Sequence, residues 1–324
     1  MPHPTHDTKT ALLQLLRAAP GQFVSGQALA DRLGISRAAV HKAAQALQRQ
    51  GWALEAVSRR GYRLAGAADR LCPEVLGPYP APAYFYESTD STNTVARQLA
   101  LSGAPHGTLV VAGTQTAGRG RLGRSFESPA GKGLYMTVLL RPQLAAPQAL
   151  AVTGSAAVAV CRAVQAQCGL PLAIKWVNDL FYNGKKVCGI LTEAVSDLDT
   201  GLVDHLAVGI GLNLTATAAD FAPGLWDTAG SLYPGGACPA PRAQLAGAIA
   251  RELLALCPDF DYLAEYRARC FVPGHWVTVR EVSGETYTAR ALAIDDAGRL
   301  VVETAAGRRT ALSHAEVSVK PARP

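Results

Sequence analysis

The sequence predicts an α+β multidomain chain: a winged helix-turn-helix first, a central mixed sheet with helices second, a small β-barrel last. Three observations carry this expectation. The opening segment is basic and reads as helix, glycine turn and helix; the middle intersperses strand-like and helix-like apolar runs; the tail is a series of short alternating runs separated by glycine turns. At 324 residues the chain is also longer than the roughly 100 to 200 residues of one domain. The expected divisions are residues 1–66, a linker 67–82, residues 83–271 and residues 272–324.

Charge singles out the first of these. Residues 1–66 hold nine Lys or Arg against Asp7, Asp31 and Glu55, which accounts for the whole formal charge of +6. A small basic segment on a neutral body is the footprint of a nucleic-acid-binding module. Leu12, Leu13, Leu15 and Leu16 mark one amphipathic helix, ended by Pro20-Gly21. A second helix starts after the N-cap residue Ser25 and buries Ala28, Leu29 and Leu33. Gly34-Ile35 then turns the chain, and Ser36 caps a third helix running to about Gln50. On that helix Arg37 and His41 share a face with Lys42 and Gln45 beside it, while Val40, Ala44 and Leu47 point to the core. Trp52 to Leu64 reads as two strands around Ser58-Arg59-Arg60-Gly61, a basic wing tip. Winged helices also mediate protein contacts; charge on the third helix and at the wing favours DNA.

Composition excludes several classes. Hydrophobic residues make up 49% and charged residues 17%, the balance of a globular protein, and no apolar run approaches the ~18 to 20 residues of a membrane span. The longest candidate, Leu144 to Val164, is interrupted by Pro147, Gln148, Gly154 and Arg162 and reads as a buried helix with its lead-in. No secretory layout opens the chain, so a cytoplasmic address is the expectation. Seven scattered cysteines without a C-x-x-C pair form neither a disulfide framework nor a zinc pattern.

The central segment carries the chemistry. After the strand-like AYFYE, the cluster Ser91, Thr92 and Asn93 precedes a helix around Val95 to Leu101; it either caps that helix or offers hydroxyls to a polar ligand. TAGRGRLGRSF contains G-x-G-x-x-G at Gly118, Gly120 and Gly123, yet it leads into helix breakers and a second strand, Leu134 to Leu140, where a dinucleotide fingerprint requires a helix. It reads instead as an inter-strand loop whose glycine N–H groups and Arg119, Arg121 and Arg124 meet an anion, or as a solvated basic hairpin. Further on, Asn183-Gly184 marks a hairpin. A two-residue turn sets Phe181 opposite Lys186 and Asp179 opposite Cys188, with all four on one face. Asp179 and Lys186 there form either a structural ion pair or a ligand-binding pair, and Lys175 and Asn178 add polar groups. The strand Leu206 to Leu214 holds Gly209 and Gly211, a pattern of close approach, and includes Asn213. The tail, His275 to Lys320, turns at Ser283-Gly284, Ala297-Gly298 and Ala306-Gly307.

In this order the helix-turn-helix, S-T-N, Q-x-A-G-R-G-R-x-G-R, K-W-x-N-D and K-x-x-G-I resemble the bifunctional biotin-protein ligases that also act as biotin operon repressors. The resemblance covers nearly the whole chain. Two positions depart from it: Val177 stands where the family has Pro, and Phe126 where it has Trp. Neither removes a charge, so altered packing is expected.

The resemblance implies a class II synthetase-like central domain and an SH3-like barrel at the end. It also implies an ATP-dependent, AMP-forming biotin-[acetyl-CoA-carboxylase] ligase, with biotin, ATP and Mg²⁺, a biotin carboxyl carrier protein as acceptor, operator DNA, and a homodimer when the adenylate is bound. Lys186, Arg121 and Asp179 would be catalytic. Ser91, Thr92, Asn93, Gln115, Gly118, Arg119, Gly120, Arg121, Lys186 and Gly189 would hold biotin and its adenylate. Arg124, Asn178, Asp179, Asn213 and Trp226 would serve the ATP side, with Asp179 on Mg²⁺. Ser36, Arg37, His41, Lys42, Arg59 and Arg60 would meet DNA, and Lys320 is a candidate in the tail. Two rivals remain: a sensor that binds biotin without activating it, opposed by Lys186 and the arginine loop, and a lipoate-type acyl ligase, opposed by the same loop and the N-terminal module.

Overall fold

A computed structural model describes residues 8–19, 21–49, 52–65, 69–142, 144–145, 149–196 and 202–319. The expectations on Pro20, Gln50, Pro147, Gln148 and Lys320 lie outside them. The chain divides into two compact units, one of Met1–Pro78 with Pro241–Gln244, the other of Tyr79–Ala240 with Leu245–Pro324.

In the first unit α1 (Thr8–Arg17), α2 (Gly26–Leu33) and α3 (Arg37–Arg49) bury Leu12, Leu13, Leu16, Leu29, Val40 and Leu47 against one another. The turn residues act as the sequence requires. Ser25 Oγ accepts from the Ala28 N–H at 3.1 Å, Gly34 takes φ 65° and closes α2 onto Ala30 and Asp31, and Ser36 Oγ accepts from the Ala39 N–H at 3.1 Å. β1 (Leu54–Val57) and β2 (Gly61–Leu64) form the antiparallel wing. Its tip needs Gly61, where φ is 99° and a Cβ would stand 2.1 Å from the Val24 carbonyl oxygen. A short helix, α4 (Pro73–Leu76), follows.

The second unit is built on a seven-stranded mixed sheet. Its strands are β3 (Ala83–Tyr86), β4 (Leu109–Ala112), β5 (Gly133–Leu140), β6 (Ala173–Lys175), β7 (Asp179–Tyr182), β8 (Lys185–Ser196) and β9 (Val203–Asn213), in the order β3-β4-β5-β9-β8-β7-β6. Only β3 and β4 are parallel. The sheet separates two layers by strand alternation. α5 (Thr92–Leu101) lies over the face that carries Ala207: its Ala96 is buried with Ala207 and Val110. α6 (Ala149–Cys168) takes the other face, where Thr153 and Thr192 hydroxyls meet at 2.8 Å. α7 (Arg242–Leu256) and α8 (Leu263–Arg269) follow, α8 donating the Tyr266 hydroxyl to the Val177 carbonyl at 3.0 Å. The tail folds as a five-stranded antiparallel sheet of β10 (Trp276–Glu281), β11 (Thr286–Ile294), β12 (Leu300–Thr304), β13 (Arg309–Leu312) and β14 (Ala315–Val319), ordered β13-β12-β11-β10-β14.

One register differs from the expectation. Asp179 pairs with Gly189, and Cys188 pairs with Leu180, because a β-bulge between Leu180 and Phe181 lets one extra residue of β8 slip in. Cys188 therefore turns to the core and is fully buried, while Lys186 and Gly189, three residues apart, share a face with Asp179 and Phe181.

Candidate ligand-binding and DNA-binding sites

A cavity of about 520 Å³ opens over the α5 face of the large sheet. Its floor is glycine. A Cβ at Gly209 would lie 2.3 Å from Asn93 Oδ1, one at Gly211 would lie 2.5 Å from the Phe126 ring, and one at Gly189 would lie 3.3 Å from Phe126 and 3.4 Å from Lys186 Nζ. The strand glycines thus make room for the groups the sequence singles out.

Ser91, Thr92 and Asn93 line one wall, all buried. Ser91 is the N-cap residue of α5, but its side chain makes no capping bond; Gln115 Oε1 instead accepts from the Thr92 N–H at 2.9 Å and its hydroxyl at 3.1 Å. Thr137, buried in β5, donates to Asn93 Oδ1 at 2.7 Å, with Thr92 Oγ1 2.8 Å away. Asn93 Nδ2 donates to Glu193 at 2.7 Å. Gln115 Nε2 reaches Ser128 Oγ at 3.0 Å.

The arginine–glycine loop folds over the cavity as a tight hairpin. The Gly120 N–H donates to the Arg124 carbonyl at 2.7 Å and the Phe126 N–H to the Gly118 carbonyl at 2.8 Å, so the Gly120 amide is engaged within the loop and the arginines present the charge. Gly118 is required because a Cβ there would stand 2.3 Å from the Phe126 carbonyl oxygen. The arginines are tied to groups outside the loop: Arg119 to Glu193 of β8 at 3.0 Å, Arg121 to Asn178 at 3.1 Å and to the Ala315 carbonyl of β14 at 3.4 Å, and Arg124 to Glu316 of β14 at 2.6 Å. Burial pulls the Arg121 pKa below its ordinary value, against the pull of Asp179 and Glu316.

Across the cavity Lys186 Nζ lies 2.7 Å from Asp179 Oδ1. This is a charge contact outside hydrogen-bond angles, and Asp179 Oδ1 has no hydrogen-bond partner. Lys175 also lines the cavity, its pKa lowered by burial more than Asp179 raises it. Asn178 Nδ2 is tied to the Ile190 carbonyl at 2.8 Å. Asn213 donates to the Gly230 carbonyl at 3.0 Å, yet its buried Oδ1 has no partner. Trp226 is not among the lining residues: it stacks on Phe221 at 5.7 Å with Lys185 Nζ 4.6 Å from its ring, and Phe221 and Leu225 form the wall in its place.

The structure therefore gathers Ser91, Thr92, Asn93, Gln115, Arg119, Gly120, Arg121, Arg124, Asn178, Asp179, Lys186, Gly189 and Asn213 around one cavity. Sequence reasoning misses Thr137, Glu193, Glu316 and Phe221. Thr137 is the one aliphatic hydroxyl in the otherwise apolar LYMTVLL, and Glu193 continues the Gly189, Leu191 alternation, so both carry a signal; Glu316, 192 residues from Arg124, carries none.

For a metal, no group of three or more His, Cys, Asp or Glu able to hold one occurs among the described residues. A Mg²⁺ ion bound chiefly by substrate phosphates needs only one or two carboxylates, and Asp179, which lines the cavity and whose Oδ1 faces Lys186 but accepts no hydrogen bond, fits that requirement.

In the first unit Ser36, Arg37, His41, Lys42, Arg59 and Arg60 are exposed. His41 contacts the Tyr62 hydroxyl at 3.1 Å and Gln45 at 3.0 Å, and Arg60 lies over the Phe23 ring at 4.2 Å. Both are thus held by the wing and its neighbours.

Family models match three stretches: an HTH domain at residues 8–63, the biotin/lipoate A/B protein ligase family at 85–213 and the biotin protein ligase C terminal domain at 274–320. The chain is 37% identical over 317 residues to a bifunctional ligase/repressor BirA of Bacillus spizizenii, covering 91% of this chain and 94% of that protein. A biotin--[acetyl-CoA-carboxylase] ligase of Paracoccus denitrificans is 38% identical over 68% of this chain and 94% of its own length. Among solved structures, the Aquifex aeolicus biotin protein ligase in complex with biotin and ATP shares the fold with a TM-score of 0.61 at 24% identity, over 74% of this chain and 99% of that one.

Proposed function

The chain belongs to the bifunctional biotin ligase/repressor family, and from that premise we propose that it activates biotin with ATP, transfers it to a lysine of a biotin carboxyl carrier protein, and binds operator DNA as a repressor. The observation that carries the ligase reading is the convergence of Lys186, Arg119 and Arg121 on one glycine-floored cavity.

A carboxylate is a poor acyl donor until its oxygen bonds to phosphorus. One biotin carboxylate oxygen attacks the α-phosphorus of ATP, the bond to the bridging oxygen breaks, and pyrophosphate leaves with biotinyl-5'-AMP remaining. Negative charge grows on the phosphate oxygens during this step. Lys186 and Arg121 are already held in place, so they stabilise that charge without reorganising, while Arg119 holds the carboxylate end of the acid. The acceptor amine then attacks the acyl carbon and AMP departs with the electron pair of the broken anhydride bond. The loop shields the anhydride from water between the two steps.

Ser91, Thr92, Asn93, Gln115, Gly118 and Gly120 form the biotin end. Asn178, Arg124 and Asn213 serve the nucleotide, the unpartnered Asn213 Oδ1 being suited to an amino group of the base. Mg²⁺ would be held by Asp179 and would neutralise phosphate oxygens when bound. Residues 1–66, 83–271 and 272–324 are the DNA-binding, catalytic and C-terminal domains, and the operator-bound form is a homodimer favoured by the adenylate. No described helix is long and apolar enough to cross a membrane.

The test is biotin-dependent exchange of labelled pyrophosphate into ATP, with lipoate and octanoate as controls. Exchange with biotin alone is expected; exchange with lipoate alone overturns the substrate, and no exchange leaves the sensor reading. Lys186→Ala should cut the exchange rate by about 10²-fold or more while basal DNA affinity stays within about twofold.

A further inference from the structure

Glu193 stands beside the site without lining it. The cavity wall includes Asn93, Arg119 and Leu191 on either side of it, yet the carboxylate reaches the ligand space only through partners. Those partners come from the two motifs that define the site. Oε2 accepts from Asn93 Nδ2 at 2.7 Å and from Arg119 Nη2 at 3.0 Å, and Oε1 lies 3.9 Å from Arg97 Nη1.

Proton bookkeeping fixes the direction of this network. Asn93 Oδ1 only accepts, so the single Thr137 proton goes to it, and Asn93 Nδ2 must then donate toward β8. The Leu191 carbonyl takes one of its protons at 3.3 Å and Glu193 takes the other. Asn93 is buried, so this second acceptor is structurally required. On the loop side the requirement differs. Arg119 uses Nη2 for Glu193 and for Thr94 Oγ1 at 3.4 Å, which leaves its remaining donors for an anion.

We propose that Glu193 is a positioning residue for biotin activation: one carboxylate oxygen orients the Asn93 amide in the cavity wall and holds the Arg119 guanidinium by a single nitrogen, aiming its other donors at the anionic end of the bound acid. The inference rests on the ligase reading above. It assigns Glu193 two separable duties, an acceptor for Asn93 and a charge for Arg119. Glutamine keeps the first and removes the second.

Steady-state pyrophosphate exchange on the full chain separates them. The wild type must exchange with biotin; its failure to do so sinks the ligase reading and this inference together. Given exchange, Glu193→Gln should raise KM for biotin about three- to tenfold with kcat within about twofold, because a half-exposed ion pair that aims a binding group acts on ground-state and transition-state affinity alike. Its thermal midpoint should stay within about 2 °C of the wild type, since the buried amide keeps its acceptor. Glu193→Ala should lower both affinity and thermal midpoint. In an Arg119→Ala background the Glu193→Gln change should add less than about twofold, the signature of action through Arg119. An unchanged or lowered KM in Glu193→Gln overturns the proposal. So does a full additive effect on top of Arg119→Ala, which would make Glu193 a structural residue independent of the loop.

Discussion

Phe126 rests on Gly211 because the smallest side chain at that point of β9 leaves space for a ring. Gly211→Ala should push the ring and the loop it anchors outward, raising KM for biotin at least about tenfold and lowering stability by about 1 to 3 kcal/mol in urea unfolding. The same position shows what a sequence conveys at this scale. Gly209 and Gly211 announce a close approach, but not what approaches; Asn93 and Phe126 arrive from elements far away in the chain. Lys186 and Asp179 are legible as a pair from the hairpin alone. Glu316 is not, since nothing in AEVSV distinguishes a loop anchor from a solvated edge charge. Cys168 Sγ lies 4.0 Å from Cys238 Sγ, and the Cys238 hydrogen bond holds the Cys168 pKa down to about 7, whereas burial pushes Cys161 up to about 12. The thiolate gains as pH rises, so alkylation of Cys168 by iodoacetamide, followed by peptide mass spectrometry, should reach half its plateau rate near pH 7. Cys161 should stay unmodified throughout.

Elements follow the sequence wherever capping and turn chemistry are local. Ser25, Gly34 and Ser36 place α2 and α3 within a residue or two of expectation because each acts on the backbone beside it. The β7–β8 hairpin departs for the opposite reason. Counting outward from Asn183-Gly184 assumes an unbroken ladder, and an inserted residue is invisible to that count until both strands are laid side by side. The bulge matters functionally: without it Gly189 would face the core, away from the face it shares with Asp179 and Lys186. For α3, exposure of Arg37 and Lys42 leads to a salt prediction. Arg37→Ala should weaken duplex binding and reduce the log–log salt slope by about 1, as loss of one phosphate contact does. An unchanged slope with weaker binding would assign Arg37 to base edges instead.

For the whole molecule, domain order is legible because charge is segregated: the net positive charge lies in the first 66 residues. Coupling between functions is a matter of linkage. If the adenylate favours the homodimer, dimerisation must raise adenylate affinity by the same factor. Sedimentation with biotin and ATP should show mass and operator affinity rising together, and a chain that stays monomeric on DNA would remove the dimer from the account. The sheet edges and loops that close the ligand cavity are drawn from the full length of the second unit, which is why motif reading finds its floor and loop but not its far wall.

That far wall has a consequence in time. Arg121 and Arg124 are tethered to Ala315 and Glu316, and the second of these pairs spans 192 residues of chain. At about 5 to 20 residues per second, a ribosome needs roughly 10 to 40 s to travel from the loop to its anchor. The DNA-binding segment has long since emerged by then. A nascent or prematurely terminated chain can thus carry a finished helix-turn-helix while its arginine loop still lacks the strand that fastens it.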